Sequence, residues 1–231
     1  MRTQTHKQKK YVTATLLLIF LINGSIYAQG ARFAIKGGIN FSNQKGDIES
    51  FNSLGFIDDT ETSIGWQLGL LLETPIENSQ FSLQPSLLLI KKGYQYKRNN
   101  SIFDFEIKSN PLYIHAPIPV IYNFNIGRIP LFAGVGPYLS YGIGGKVDST
   151  GDVIDVDFTT DDTISWGNDI NEDWYRPFDW GLIFTTGVKL DRSFQVDIAY
   201  EIGAANILPD GDDNNYIRNR SFTLNFAYFF K

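Results

Sequence analysis

The sequence predicts an all-β fold: an eight-stranded antiparallel up-and-down transmembrane β-barrel with long extracellular loops, preceded by a signal peptide. Three observations predict it. Large apolar residues recur at every second position in eight separate stretches. The connections between those stretches alternate between short and long. The N-terminus runs from basic to apolar to small residues.

Composition agrees. The 231-residue chain is 43% hydrophobic and 19% charged, too apolar to stay disordered. Its 21 Gly, 18 Phe and 12 Tyr favour strands and tight turns. With no cysteine, disulfides, thiolate metal sites and cysteine nucleophiles are excluded.

The N-terminal residues MRTQTHKQKK carry Arg2, Lys7, Lys9 and Lys10 and no acid, and an apolar run broken by Asn23 and Gly24 follows. The unbroken apolar core, 14–22, is far short of the ~20 residues that a spanning helix needs. We therefore assign 1–28 as signal peptide and 29–231 as the barrel domain, cleaved after Ala28. Ile26 departs from the small residue expected three places before the cut. Removing four cations takes the formal charge from −5 to −9. An acidic exported chain is a poor match for nucleic acid.

The strands follow in order. RFAIKGGINF sets Phe33, Ile35, Ile39 and Phe41 against Arg32, Ala34, Lys36, Gly38 and Asn40. IGWQLGLLLE sets Ile64, Trp66, Leu68, Leu70 and Leu72 against Gly65, Gln67, Gly69, Leu71 and Glu73. FSLQPSLLL sets Phe81, Leu83, Pro85, Leu87 and Leu89 against Ser82, Gln84, Ser86 and Leu88. YIHAPIPVIYNF sets Ile114, Ala116, Ile118, Val120, Tyr122 and Phe124 against His115, Pro117, Pro119, Ile121 and Asn123. PLFAGVGPYLSYG alternates less cleanly. WGLIFTTGVKL sets Trp180, Leu182, Phe184, Thr186, Val188 and Leu190 against Gly181, Ile183, Thr185, Gly187 and Lys189. FQVDIAYEI sets Phe194, Val196, Ile198, Tyr200 and Ile202 against Gln195, Asp197, Ala199 and Glu201. SFTLNFAYFF closes the chain with Phe222, Leu224, Phe226, Tyr228 and Phe230 on one face, and Thr223, Asn225, Ala227 and Phe229 on the other. Pro85, Pro117, Pro119 and Pro137 cannot donate to a ladder, so bulges or lost hydrogen bonds are expected there.

TPIENSQ, NIGR and DRS are short connections, whereas 43–62, 94–104, 144–179 and 203–219 read as long loops. In an up-and-down meander the short ones share one end, as the periplasmic turns of outer-membrane barrels do. A soluble lipocalin-like binding barrel has the same alternation, with its bulky face inward. Here the bulky face is too crowded for the narrow interior of eight strands, and the other face is mostly small and polar. The bulky face is therefore read as lipid-facing. Aromatics gather at both strand ends: Trp66, Tyr141, Trp180 and Phe222 towards the long loops, and Phe81, Phe124, Phe194 and Phe230 towards the turns. Two such rings match interfacial girdles.

NPLYIHAPIPVIYNF resembles the fourth-strand motif of the PorT-like, or OmpX-like, outer-membrane β-barrel proteins of Bacteroidota. That motif is Tyr-Leu-Glu-Ile-Pro followed by apolar residues, Lys and Tyr. Tyr113, Ile114, Ala116, Pro117 and Tyr122 fit it. His115 stands where the family usually has Glu, and Ile121 where it often has Lys, a double change that removes two opposite charges together. GPYLSYGIGGK, FDWGLIFTTGVKL, DIAYEIGAANI and NRSFTLNFAYFF resemble the later strands, so the likeness spans the mature chain. It implies residence in the outer membrane of a Gram-negative bacterium and a link to protein secretion, without an assigned reaction.

Candidate chemistry is sparse. His115 is the only histidine after the signal peptide, and it reads as a mid-strand lumen residue rather than a general base at a substrate-accessible rim. Arg32, Lys36, Glu73, Asp179, Lys189, Asp197 and Glu201 share its face and are expected to pair into a salt-bridge plug. The 144–179 loop holds Asp148, Asp152, Asp155, Asp157, Asp161, Asp162, Asp169, Glu172 and Asp173 against Lys146 and Arg176. It reads as a solvated surface loop, with calcium as the alternative. Asp210, Asp212 and Asn214 fit the first positions of an EF-hand run, but Asn215 and Ser221 break the pattern. Trp166, Trp174 and Tyr175 either form a binding surface or fold back over the barrel mouth. No catalytic, cofactor or metal residue is assigned. The expected function is a non-enzymatic, membrane-anchored scaffold whose loops bind envelope or secretion-system proteins. The alternative is an outer-membrane enzyme acting on lipid or peptide. The expected partners are outer-membrane lipid and envelope proteins, not nucleic acid, and the barrel is expected to be a monomer. On the last strand, Thr223 and Asn225 face the lumen, where a short polar replacement is expected to lose little.

Overall fold

The barrel wall closes on itself, its last strand pairing its first. The computed structural model describes residues 30–47, 60–100, 103–153 and 157–230. The expected signal peptide, 1–28, and its cleavage site lie outside them, as does Asp155 of the acidic loop. The strands are β1 (Arg32–Asp47), β2 (Thr60–Pro75), β3 (Phe81–Leu83), β4 (Ser86–Lys91), β5 (Tyr94–Asn100), β6 (Phe103–Pro117), β7 (Val120–Ile126), β8 (Ile129–Val153), β9 (Asp157–Thr163), β10 (Phe178–Lys189), β11 (Phe194–Gly203) and β12 (Tyr216–Phe229). All the pairings are antiparallel. β12 returns to β1 in register from Ala34↔Phe229 to Asp47↔Tyr216, and β1 pairs β2 on its other side. The barrel is thus closed as eight staves: β1, β2, β3–β4–β5, β6–β7, β8, β10, β11 and β12, with β9 folded onto the outer end of β8. In hydrocarbon each unpaired backbone group costs several kcal/mol, so only closure lets these strands cross a membrane.

Of the four segments beyond the eight expected strands, two come from proline, one from a further break in the third stave at Lys92–Gly93, and one is β9. The third stave breaks at Gln84–Pro85 and the fourth at Ile118–Pro119. The two breaks lie side by side, with Gln84 N–H donating to the Pro119 carbonyl at 3.0 Å. Proline loses only its own donor. The Pro85 carbonyl still accepts from Leu72 N–H and the Pro137 carbonyl from Ile118 N–H, both at 2.9 Å. The register is unchanged across the gap: Thr74↔Leu83 on one side and Leu71↔Ser86 on the other belong to one ladder. The inward–outward alternation therefore survives. The expected bulge occurs elsewhere, between β6 and β8, where Leu112 pairs Gly144, Tyr113 pairs Gly142, and Ile143 is left over.

Three expected long loops are shorter than the sequence indicates, because the hairpins run on past the apolar band. β1 continues to Asp47, β5 pairs β6 from Asn100↔Phe103, and β8 extends to Val153 against β9. These extensions carry Lys, Asn, Ser, Thr and Asp. In β1, β8 and β9 the ladder persists where polar residues dominate, which hydrophobic periodicity does not mark, whereas β6 carries a short apolar alternation, Phe103, Phe105 and Ile107.

The bulky face points out along every stave. Phe33, Ile39, Trp66, Leu70, Leu87, Val135, Leu182, Ile198 and Leu224 are all exposed outward. Both aromatic girdles lie on this face, joined by contacts such as Phe41–Phe222 (6.5 Å) at the long-loop end and Phe194–Tyr228 (5.2 Å) at the turn end. Ala34, Asn40, Gln67, His115, Tyr138, Asp197 and Asn225 point into the barrel.

Phe226 sits mid-strand on the outward face, 5.6 Å from Phe194. A cation on the lipid face costs about 2–4 kcal/mol at the midplane and falls towards zero at the interfaces. Phe226→Arg should strongly reduce the folded, heat-modifiable form seen on detergent gels, and Phe222→Arg, in the girdle, should reduce it less. Equal assembly of both variants and the parent would show that this face does not meet lipid.

Candidate functional site

Inward-facing side chains fill the barrel in three hydrogen-bonded layers. Nearest the short turns, Glu73 is clamped by Arg32 and Lys189, each at 2.6 Å. Lys189 also donates to Asn123 Oδ1 at 2.7 Å, and Arg32 to the Arg192 carbonyl in the last turn at 2.8 Å. In the middle, Asp197 accepts from Lys36 (2.9 Å), Asn225 (2.8 Å) and Gln195 (3.0 Å), and Gln84 donates to Gln195 at 3.1 Å. Nearest the long loops, Lys92 Nζ donates to Glu201 at 2.8 Å, lies 3.7 Å from Asp179, and sits 4.5 Å above the Tyr138 ring. Asn219 donates to Asp179 at 3.0 Å and Ser221 to Glu201 at 3.1 Å.

Four cations, Arg32, Lys36, Lys92 and Lys189, thus face four carboxylates, Glu73, Asp179, Asp197 and Glu201. Charges removed from water persist only when paired and hydrogen-bonded, and each carboxylate here has several donors. All seven lumen charges expected from the sequence lie in these layers. Lys92 is the one the sequence reading missed, because the third strand was ended at Leu89. The signal was present: Leu88, Ile90 and Lys92 continue the inward series.

His115 lies wholly inside the upper layer. Its Nε2 is 2.9 Å from Glu201 and its Nδ1 is 2.8 Å from Ser140 Oγ. One ring nitrogen thus meets a carboxylate and the other a hydroxyl. The three residues are linked like a hydrolytic triad, but Ser140 is 2% exposed and Glu201 is already bound to Lys92. A nucleophile without room for a carbonyl beside it attacks nothing. His115 therefore binds the β6, β8 and β11 staves together. Position 115 still takes part in the lumen network, while Ile121 is buried on the same face as an apolar filler.

Asn225 corrects an expectation. Its amide donates to Asp197 and to Thr223 Oγ1 (3.1 Å), accepts from Gln67, and lies against Gly38, where an added Cβ would fall 2.3 Å from Asn225 Oδ1. A serine reaches none of the distant partners, so Asn225→Ser leaves buried groups unsatisfied at about 1–3 kcal/mol each.

Above the layers an apolar cap closes the long-loop end. Val147, Ile164, Tyr175, Ala205 and Ile207 form a buried cluster, joined by Tyr94, Ile107, Trp166 and Ile217. Trp166 stands edge-on to Tyr113 at 5.1 Å and lies flat against Gly142, where any Cβ would fall 2.2 Å from the indole. Tyr175 hydroxyl meets Ser109 at 2.8 Å. Of the two readings of this aromatic group, Trp166 and Tyr175 follow the fold-back one, and Trp174 stays exposed. Arg176 holds Asn168 of its own loop (2.6 Å) and reaches the Gly211 carbonyl of the neighbouring loop (3.0 Å). The EF-hand-like run is a turn: Asp212 Oδ1 accepts from Asn215 N–H (2.7 Å) and Asn214 N–H (2.9 Å). These backbone donors hold its carboxyl below the usual aspartate range. Among the described residues no group of three or more His, Asp or Glu side chains is placed to hold a metal ion.

A closed barrel with an apolar outer belt, two aromatic girdles and a paired polar interior is an integral outer-membrane protein. The chain belongs to the outer membrane protein beta-barrel domain family, whose profile matches residues 27–208, and it resides in the outer membrane of a Gram-negative bacterium. β12, which closes the barrel, lies beyond the matched span. Similar solved structures include Ail, the attachment invasion locus protein of Yersinia pestis, at 13% identity, covering 87% of this chain and 99% of that one with a TM-score of 0.39. Neisserial surface protein A is similar at 14% identity, with 87% and 100% coverage and a TM-score of 0.39. OprG of Pseudomonas aeruginosa follows at 12% identity, with 87% and 96% coverage and a TM-score of 0.40. Nothing about function follows from likenesses this distant. No curated protein matches the chain.

Removing one partner of a buried pair costs about 3–5 kcal/mol. Lys92→Met should lower the temperature at which the heat-modifiable form is lost, because Glu201 and Asp179 then share one site without an ammonium group. Adding Glu201→Gln should restore part of that loss. A Lys92→Met barrel that melts with the parent would show that the upper layer is held by something else.

Gly142→Ala should displace Trp166 and open the 164–177 segment to added protease, with the barrel strands still protected. Unchanged cleavage would show that the cap does not rest on that glycine.

Proposed function

We propose that this chain is a plugged scaffold of the outer membrane that presents its extracellular loops to other envelope components and catalyses no reaction of its own. The observation that carries this reading is the contrast between the two ends of the upper barrel. Below, three ionic layers and an apolar cap fill the interior, as expected where eight strands leave only room for side chains. Above, Arg176 braces two loops against each other while Ile170 and Trp174 stay exposed. Exposed aromatic and aliphatic side chains on a braced surface are the usual anchors of a protein contact.

The PorT-like motif around Tyr113, Ile114, Ala116, Pro117 and Tyr122 supports the finer reading, an accessory barrel associated with protein secretion. The lumen does not need a second copy to pair its charges, which supports a monomer. Cleavage after Ala28, giving a mature 29–231 barrel, belongs to the same proposal.

Two measurements test it. A tag inserted at Gly151 should be labelled on intact cells, and labelling only after the outer membrane is opened would invert the topology. Cross-linked outer membranes should yield a discrete partner with the parent barrel, and an Ile170→Ser/Trp174→Ala variant that still shows heat-modifiable mobility should lose it. Equal capture by both would remove this loop surface from the proposal.

A further inference from the structure

Where β1 and β12 leave the apolar band, their outward faces change from aromatic to cationic. On β1 the series Phe33, Ile35, Ile39 and Phe41 is followed by Asn43 and Lys45, and on β12 the series Tyr228, Phe226, Leu224 and Phe222 is followed by Arg220 and Arg218. The register sets Phe41 beside Phe222, Asn43 beside Arg220 and Lys45 directly opposite Arg218. On the far side of β12, Arg220 is paired with Ile202 of β11, the last apolar outward residue of that strand. Three cations therefore meet on the lipid-facing side, one step beyond the girdle at the long-loop end.

Like charges directly opposite in an antiparallel pair repel, yet among the described residues these cations have no matching acid. None of the ion pairs among the described residues involves Lys45, Arg218 or Arg220. Arg220 Nε is buried and, among the described residues, has no hydrogen-bond partner, and Arg218 is stacked 4.6 Å from the Tyr216 ring. By contrast Lys97 and Lys108 on the strand extensions are matched by Glu106, and Lys146 by Asp161.

We infer that Lys45, Arg218 and Arg220 bind the phosphate groups of a phosphorylated lipid in the outer leaflet. Charge complementarity and position both favour this occupant. Two guanidinium forks give planar two-point recognition of phosphate oxygens, and a lysine adds a point charge. Acyl chains of the same lipid then lie along the Phe41, Phe222 and Ile202 belt below. A soluble anion would gain the charges without using that belt. The inference rests on the membrane reading and is independent of what the loops bind.

The test uses purified full barrel in detergent with bisphosphorylated lipid A, the same lipid dephosphorylated, and inorganic phosphate as probes. The parent should bind the phosphorylated lipid at least tenfold more tightly than the dephosphorylated one, and millimolar phosphate should not displace it. A Lys45→Gln/Arg218→Gln/Arg220→Gln variant with normal heat-modifiable mobility should lose that preference, and Arg218→Lys/Arg220→Lys should keep only part of it. If the triple variant does not fold, the comparison of the two lipids on the parent still decides. Equal affinity for the two lipids, full displacement by inorganic phosphate, or an undiminished preference in the folded triple variant would each overturn the site.

Discussion

The β1–β12 pairing is the interaction on which the rest of this structure depends. A sheet edge in hydrocarbon leaves a row of backbone donors and acceptors with nothing to bond. Joining the first strand to the last removes both edges in one step, over fourteen residue pairs from Ala34↔Phe229 to Asp47↔Tyr216. The ladder also fixes which way every side chain on those strands faces, because a slip of one residue would exchange belt and lumen. Lys36, Asn40 and Asn225 would then meet lipid, and Ile39 and Phe226 would crowd the interior.

Closure with only eight staves determines the chemistry inside. The interior is too narrow for a water-filled channel, so the inward charges lie close together in a low-dielectric space. There they must pair, and the three layers do so with donors and acceptors drawn from staves far apart in sequence, such as Lys36 with Asp197 and Lys92 with Glu201. Replacement of the network by apolar residues of equal volume can be neutral elsewhere, but removal of one member leaves an uncompensated charge. The same density explains why His115, Ser140 and Glu201 can be linked like a hydrolytic triad and still have no substrate-accessible face.

The prolines show how much irregularity closure tolerates. Pro85 and Pro119 sit at breaks placed side by side, and their carbonyls stay in use, so the third and fourth staves lose hydrogen bonds without losing register. Irregular backbone is gathered instead at the long-loop end, where the Ile143 bulge, Gly142 and the folded-back 164–177 segment cover the upper layer. Water at that end can satisfy what the ladder does not.

The sequence alone determined the architecture and the two faces, because a barrel wall one residue thick exposes alternate side chains to lipid and lumen, and a period of two is visible without any partner strand. Phe222, Leu224, Phe226, Tyr228 and Phe230 declare their face locally, as do the seven charges assigned to the lumen. Strand ends beyond the membrane were not legible, since Lys45, Ser149 and Thr160 carry no apolar contrast once the outer face meets water. Nor were the partners. Lys92, just past the strand end read from the sequence, gains its partners only when β11 brings Glu201 and β10 brings Asp179 beside it. Asn225 looked replaceable until Gln67 and Asp197 were placed within its reach, and the unmatched cations Lys45, Arg218 and Arg220 became neighbours only when the last strand closed against the first. Pairing between residues a hundred positions apart is decided by which staves become adjacent, and adjacency exists only in the closed barrel.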